Sequence, residues 1–115
     1  PAALFTYPDA ATVGLTEDDC KHAGIPVRCL KSFFRSNGKA LSMGEPEGFC
    51  KIVVAAEGAE NPGRILGCHM FGAHSSDIIQ EIAALMNNGA DIDKFKTIIH
   101  AHPTLTEVLQ SAAHS

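Results

Sequence analysis

The chain has 115 residues, 45% hydrophobic and 19% charged, with 13 acidic against 9 basic side chains and a formal net charge of −4. This is the composition of one globular domain with a modest core and no sign of disorder. The acidic balance argues against nonspecific nucleic-acid binding, no apolar run approaches a membrane span, and no signal peptide is visible.

Leu4-Phe5-Thr6-Tyr7 is a short strand-prone run ended by Pro8-Asp9, and Ala11-Thr12-Val13-Gly14 is a second, with Gly14 marking a bend or close approach. Thr16-Glu17-Asp18-Asp19 then starts a helix, with a threonine N-cap, an acidic first turn and a carboxylate at N3. Gly24 ends that helix and Pro26 prevents its continuation. The three carboxylates read as complements to the helix dipole rather than as a cation site.

Val27 to Phe34 reads as a strand, and Asn37-Gly38 as a tight turn leading into a return leg, Ala40 to Met43. Phe49 to Ala55 is the strongest strand signal, and Arg64 to Phe71 is its expected antiparallel partner across a Gly- and Pro-containing loop. From Ser75 the period becomes helical: Ile78, Ile79, Ile82, Ala83, Leu85 and Met86 lie on one stripe, with Ser75 or Ser76 as N-cap and Gly89 at C′. Asp91 caps a short helix, and a last helix runs from Leu105 toward Ser115. Strands with one early helix, then helices only, predict an α+β domain built on an antiparallel sheet with helices packed on it.

Cys20, Cys29, Cys50 and Cys68 are 9, 21 and 18 positions apart and form no CxxC or zinc pattern. Free, buried or half-buried thiols in a reducing compartment are expected: cytoplasmic, or an organelle matrix in a source that has organelles. His69 reads as a packed core or interface histidine, and His22 and His114 as exposed residues at helix ends.

The most informative stretch is His100-Ala101-His102-Pro103-Thr104-Leu105-Thr106-Glu107. An imidazole titrates near neutrality and can take and return a proton, and a carboxylate is its usual orienter, so His102 and Glu107 form a candidate acid/base pair. The same residues also satisfy a capping box, Thr104-x-x-Glu107, in which Glu107 only closes a helix end. His100 and His102, with Cys68, His69 or His74, form a weaker candidate for zinc or copper; only one pair of ligands is evident, so no metal site is assigned.

This signature resembles that of the flavin-dependent pyridine nucleotide-disulfide oxidoreductases, most closely their dihydrolipoamide dehydrogenase branch. Phe5-Thr6-x-Pro8-Asp9-x-Ala11-x-Val13-Gly14-Leu15-Thr16-Glu17, Gly48-Phe49-x-Lys51-Ile52 and Ile65-Leu66-Gly67 follow in the order of that family's dimerisation domain. The tyrosine-containing version and terminal cysteine pair of mercuric reductases are both missing. The resemblance implies a C-terminal dimerisation (interface) domain spanning 1–115, cut from a longer homodimeric flavoenzyme that uses FAD and NAD. In such a dimer, His102 and Glu107 serve the partner subunit's redox disulfide and a dithiol substrate, either a dihydrolipoamide-bearing protein or a small dithiol, with electrons passing to FAD and then NAD. A 2-oxo acid dehydrogenase complex is a further implied partner, and the mitochondrial matrix the implied location in a eukaryote. A cis bond before Pro103 is also implied, aiming the His102 imidazole outward and a main-chain carbonyl, from His102 or Pro103, toward the partner's FAD. The chain has no GxGxxG and no CxxxxC, so by itself it carries half a site and is expected to be inactive. The alternatives are another flavin disulfide reductase, such as a glutathione reductase-like enzyme, or a dimeric binding module without catalysis.

Overall fold

The computed structural model of the chain describes the backbone of residues 2–4, and residues 10–34, 37, 47–89, 91–97 and 107–114 in full. Its centre is an antiparallel sheet of β1 (Ala2–Leu4), β2 (Ala10–Gly14), β3 (Val27–Phe33), β4 (Gly48–Ala55) and β5 (Ile65–Gly72). The spatial order is β1-β2-β5-β4-β3, so β5 inserts between β2 and β4. The expected antiparallel pairing of β4 with β5 is present, with Cys50 opposite Met70 and Ile52 opposite Cys68.

Side chains alternate across a sheet, and the registers divide this one into two faces. Leu30, Ile52, Cys68 and Val13 form one row of the core face. Ser32, Cys50, Met70 and Ala11 form the next row, in which serine is the polar member. Against this face pack α2 (Ser75–Asn87), α3 (Ile92–Lys96) and α4 (Glu107–Ala113), through Ile78, Ile79 and Ile82, Ile92 and Phe95, and Val108, Leu109, Ala112 and Ala113. On α2, Ala84 is exposed while Ala83, Leu85 and Met86 are half-buried against the core edge.

The local signals for α1 (Glu17–Ala23) are all realised. Thr16 accepts from the Asp19 N–H, Asp19 accepts in return from the Thr16 N–H, and Gly24 closes the helix in the left-handed region at φ 71°. Gly14 is needed where the end of β2 lies close beside β5, opposite Gly67: its φ is +73°, and a Cβ there would lie 2.3 Å from the Leu66 carbonyl oxygen.

The start of α2 differs from expectation. His74, at φ 58° and with no side-chain cap bond, is the N-cap, one residue earlier than the serines. Ser75 is unavailable because its buried hydroxyl donates 2.8 Å back to the Gly72 carbonyl. At the other end Gly89 follows the Asn88 cap in the left-handed region. The Asn37-Gly38 turn, the Ala40 to Met43 return leg, the Tyr7-Pro8 segment and the approach to the last helix from Ile98 to Thr106 lie wholly or largely outside the described residues. No helix among the described residues is long and apolar enough to cross a membrane.

Candidate functional site

Of the expected site residues, His102 and Pro103 lie outside the described set, as do His100 and Thr104. Glu107 is described: it is the first residue of α4, an acidic side chain in a helix's first turn, half-buried. A carboxylate there is favoured by the helix dipole whatever its further role.

Apolar packing and a directed hydrogen bond both act on α4. Val108, Leu109, Ala112 and Ala113 bury its apolar stripe against the sheet. Ser32, on the core face of β3, adds a directed contact, its hydroxyl donating 2.6 Å to the Val108 main-chain carbonyl. Sequence reasoning missed Ser32, whose only signal was a small polar residue at an inward position of an apolar strand.

The expected thiol chemistry is consistent with the structure. All four cysteines are free; Cys20, Cys50 and Cys68 are buried and Cys29 is half-buried. Cys50 and Cys68 meet diagonally across β4 and β5 at 3.9 Å between sulfurs, well beyond the roughly 2.05 Å of a disulfide. The Cys68 hydrogen bond, with burial, pushes the Cys50 thiol well up. A thiol so disfavoured as thiolate is a poor nucleophile, so this pair is core rather than a redox centre.

Of the weaker metal candidates, His100 and His102 lie outside the described residues, and Cys68, His69 and His74 form no metal-holding group. Cys68 and His69 are consecutive strand residues, Cys68 in the core and His69 on the opposite, open face. Both His69 ring nitrogens are engaged, Nδ1 with the Thr12 hydroxyl and Nε2 with the Leu15 carbonyl at 2.9 Å. Of the two roles expected for His69, packed core or interface, the core one is corrected: the residue pins the β2–α1 junction from the open face. The His74 ring faces Asp77 at 3.7 Å. Among the described residues no group of three or more His, Cys, Asp or Glu side chains could hold a metal ion.

On the open face, Glu17 and Lys51 pair at 2.7 Å beside His69, Phe49, Thr16 and Asp18, around a shallow hollow. Glu17 is paired with Lys51 and Asp19 closes the capping box, so two of the three carboxylates at the start of α1 have structural partners. His22 and His114 are exposed, as expected.

Residues 1–113 match the family described as "Pyridine nucleotide-disulphide oxidoreductase, dimerisation domain". The chain is 40% identical over 113 residues, 98% of its length, to the dihydrolipoyl dehydrogenase of Chlamydia muridarum. It is also 40% identical over 113 residues to dihydrolipoyl dehydrogenase 2, chloroplastic, of Arabidopsis thaliana. It covers 23% and 19% of those two proteins, a quarter of their length or less. Its fold is shared with the HOCl-induced flavoprotein disulfide reductase RclA of Escherichia coli, with TM-score 0.89, 21% identity, and coverage of 98% of this chain and 25% of that one. LpdA of Mycobacterium tuberculosis superposes similarly, with TM-score 0.87, 23% identity, and coverage of 98% and 24%.

Proposed function

Since the chain belongs to the pyridine nucleotide-disulphide oxidoreductase dimerisation-domain family, we propose that it is the interface domain, spanning 1–115, of a homodimeric dihydrolipoyl dehydrogenase-type flavoenzyme. In this reading it forms the subunit seam and lends His102 and Glu107 to the partner's dithiol/disulfide site. The observation that carries the reading is the identity of about 40% to proteins of that name over nearly the whole chain.

The chemistry assigned to this chain is proton handling. A thiolate is the attacking species in thiol–disulfide exchange, and a substrate thiol is mostly protonated at neutral pH. His102 accepts the thiol proton; the thiolate then attacks the partner's disulfide, giving a mixed disulfide and releasing one sulfur as thiolate. Attack by the second substrate sulfur completes oxidation of the substrate to a disulfide and reduction of the partner's disulfide to a dithiol. Glu107 orients the ring and stabilises the imidazolium that forms.

FAD and NAD belong to the rest of the longer polypeptide in this reading. A dinucleotide is held at the carboxyl ends of parallel strands, and the antiparallel strands described here do not suit it. No step is assigned to either group through this chain, and the isolated 115 residues are expected to be inactive. The dihydrolipoamide substrate, a 2-oxo acid dehydrogenase complex as partner, and a cytoplasmic or mitochondrial-matrix location belong to the same proposal.

The test is His102→Gln in the full-length dimer, assayed for oxidation of dihydrolipoamide by NAD. Loss of a general base lowers the rate by about a hundredfold or more. A variant with undiminished turnover, or a parent gene without a CxxxxC pair upstream, would overturn the catalytic assignment.

A further inference from the structure

We infer that Ser32 is a positioning residue for Glu107, and so for the acid/base pair; the inference rests on the reading given under Proposed function. Glu107 and Val108 are the first two residues of α4, so whatever orients the Val108 peptide orients the start of the turn that carries Glu107. The Ser32 hydroxyl donates 2.6 Å to the Val108 carbonyl across 76 residues of sequence.

The stripe of α4 that faces the sheet is apolar. Val108, Leu109, Ala112 and Ala113 are buried, but hydrophobic burial is non-directional and lets a short helix roll or slide at little cost. A hydrogen bond is directional and falls off steeply when bent. In a helix of only seven residues, such a bond at the first turn restricts both rotation and axial position. A carbonyl oxygen has two lone pairs, so the Val108 oxygen can serve the helix and Ser32 together.

The surroundings of Ser32 favour this role. It is 8% exposed and its row across the sheet is otherwise Cys50, Met70 and Ala11, so Val108 gives the hydroxyl a polar partner in an apolar setting. β3 is fixed along its length by seven paired positions with β4. The bond therefore ties a short helix to a strand paired along its length, and small displacements of catalytic groups are costly in rate.

The experiment is a double-mutant cycle in the full-length dimer, comparing Ser32→Ala, Glu107→Gln and the combination, with kcat and the KM for NAD measured in dihydrolipoamide oxidation. Ser32→Ala is expected to lower kcat about tenfold, within the range that misplacement of a catalytic group produces, with the KM for NAD unchanged. In the Glu107→Gln background the same substitution should have no further effect. Ser32→Cys, nearly isosteric and a weaker donor, should lie between Ser32→Ala and the parent. An unchanged kcat in Ser32→Ala, or a loss that multiplies fully with that of Glu107→Gln, overturns the inference while leaving the acid/base reading intact. Full activity in Glu107→Gln alone marks failure of that reading itself. If both the Ala and Cys variants fail to assemble, Ser32 is a folding residue and the inference falls.

Discussion

The Cys50 and Cys68 sulfurs lie 3.9 Å apart on adjacent central strands, both fully buried. Reaction of either thiol requires the strands to open, and the Cys50 thiol is further disfavoured by its bond to Cys68. Cys29 is half-buried, and although burial and then Glu17 push its thiol up as well, it is the most accessible of the four. Alkylation of the native protein followed by peptide mapping should label Cys29 first, and Cys50 and Cys68 only on unfolding. Early labelling of Cys50 or Cys68 would show that β4 and β5 are not packed as described.

Gly14 tests the close approach at the end of the β2–β5 pairing. An alanine there needs a left-handed φ, which disfavours a side chain by about 1–2 kcal/mol. Its Cβ would also be 2.3 Å from the Leu66 oxygen and 2.6 Å from the Met86 methyl carbon. Gly14→Ala should therefore cost more than the φ preference alone, roughly 2 kcal/mol or above, read from the shift in chemical denaturation midpoint. Gly24→Ala makes a good control: its φ is +71°, yet nothing lies within 4 Å of the added carbon, so only the φ cost applies.

The capping box of α1 has a pH signature. The Thr16 backbone N–H bond, and then its side-chain bond, hold the Asp19 carboxyl below the usual carboxylate range. A folded-state pKa lowered in this way adds stability that is present above the unfolded value and is lost as pH falls through the folded one. Asp19→Asn should flatten the acid limb of thermal midpoint against pH. Thr16→Ala should cost about 1 kcal/mol at neutral pH, the usual scale of a lost N-cap. An acid limb identical in Asp19→Asn and the parent would refute this account.

The Glu17–Lys51 bridge links α1 to β4 at 2.7 Å. The Lys51 hydrogen bond and charge lower the Glu17 carboxyl, and Glu17 in turn raises the Lys51 ammonium. The Glu17 contribution is present above its unfolded value and lost as pH falls through the lowered one. The Lys51 contribution is present below its unfolded value and lost as pH rises through the raised one. The bridge is therefore strongest across the neutral range between. Both partners are accessible, so Lys51→Met should cost little at low salt and nothing measurable near 1 M salt, where screening is nearly complete. A salt-independent loss would mean that the aliphatic stem of Lys51 contributes by packing instead.

Local chemistry made much of this fold legible before any coordinates. Thr16 with Asp19, Gly24, Asp91 and Gly89 act within a few residues of their partners, so cap and stop signals are written where they operate. β4 and β5 followed from runs of strand formers around a Gly-Pro loop. The candidate site was legible as a motif, His102 with Glu107, because it is compact in sequence. What stayed hidden was mostly contact between distant segments, with the local start of α2, where Ser75 bonds Gly72 rather than capping, as the exception. The insertion of β5 between β2 and β4, and the assignment of Cys68 to the core and His69 to the open face, depend on register and packing. So does the bond from Ser32 to Val108, whose residues are 76 apart: hydrophobic pattern says that both turn inward, but only the docking of α4 on β3 decides that they meet.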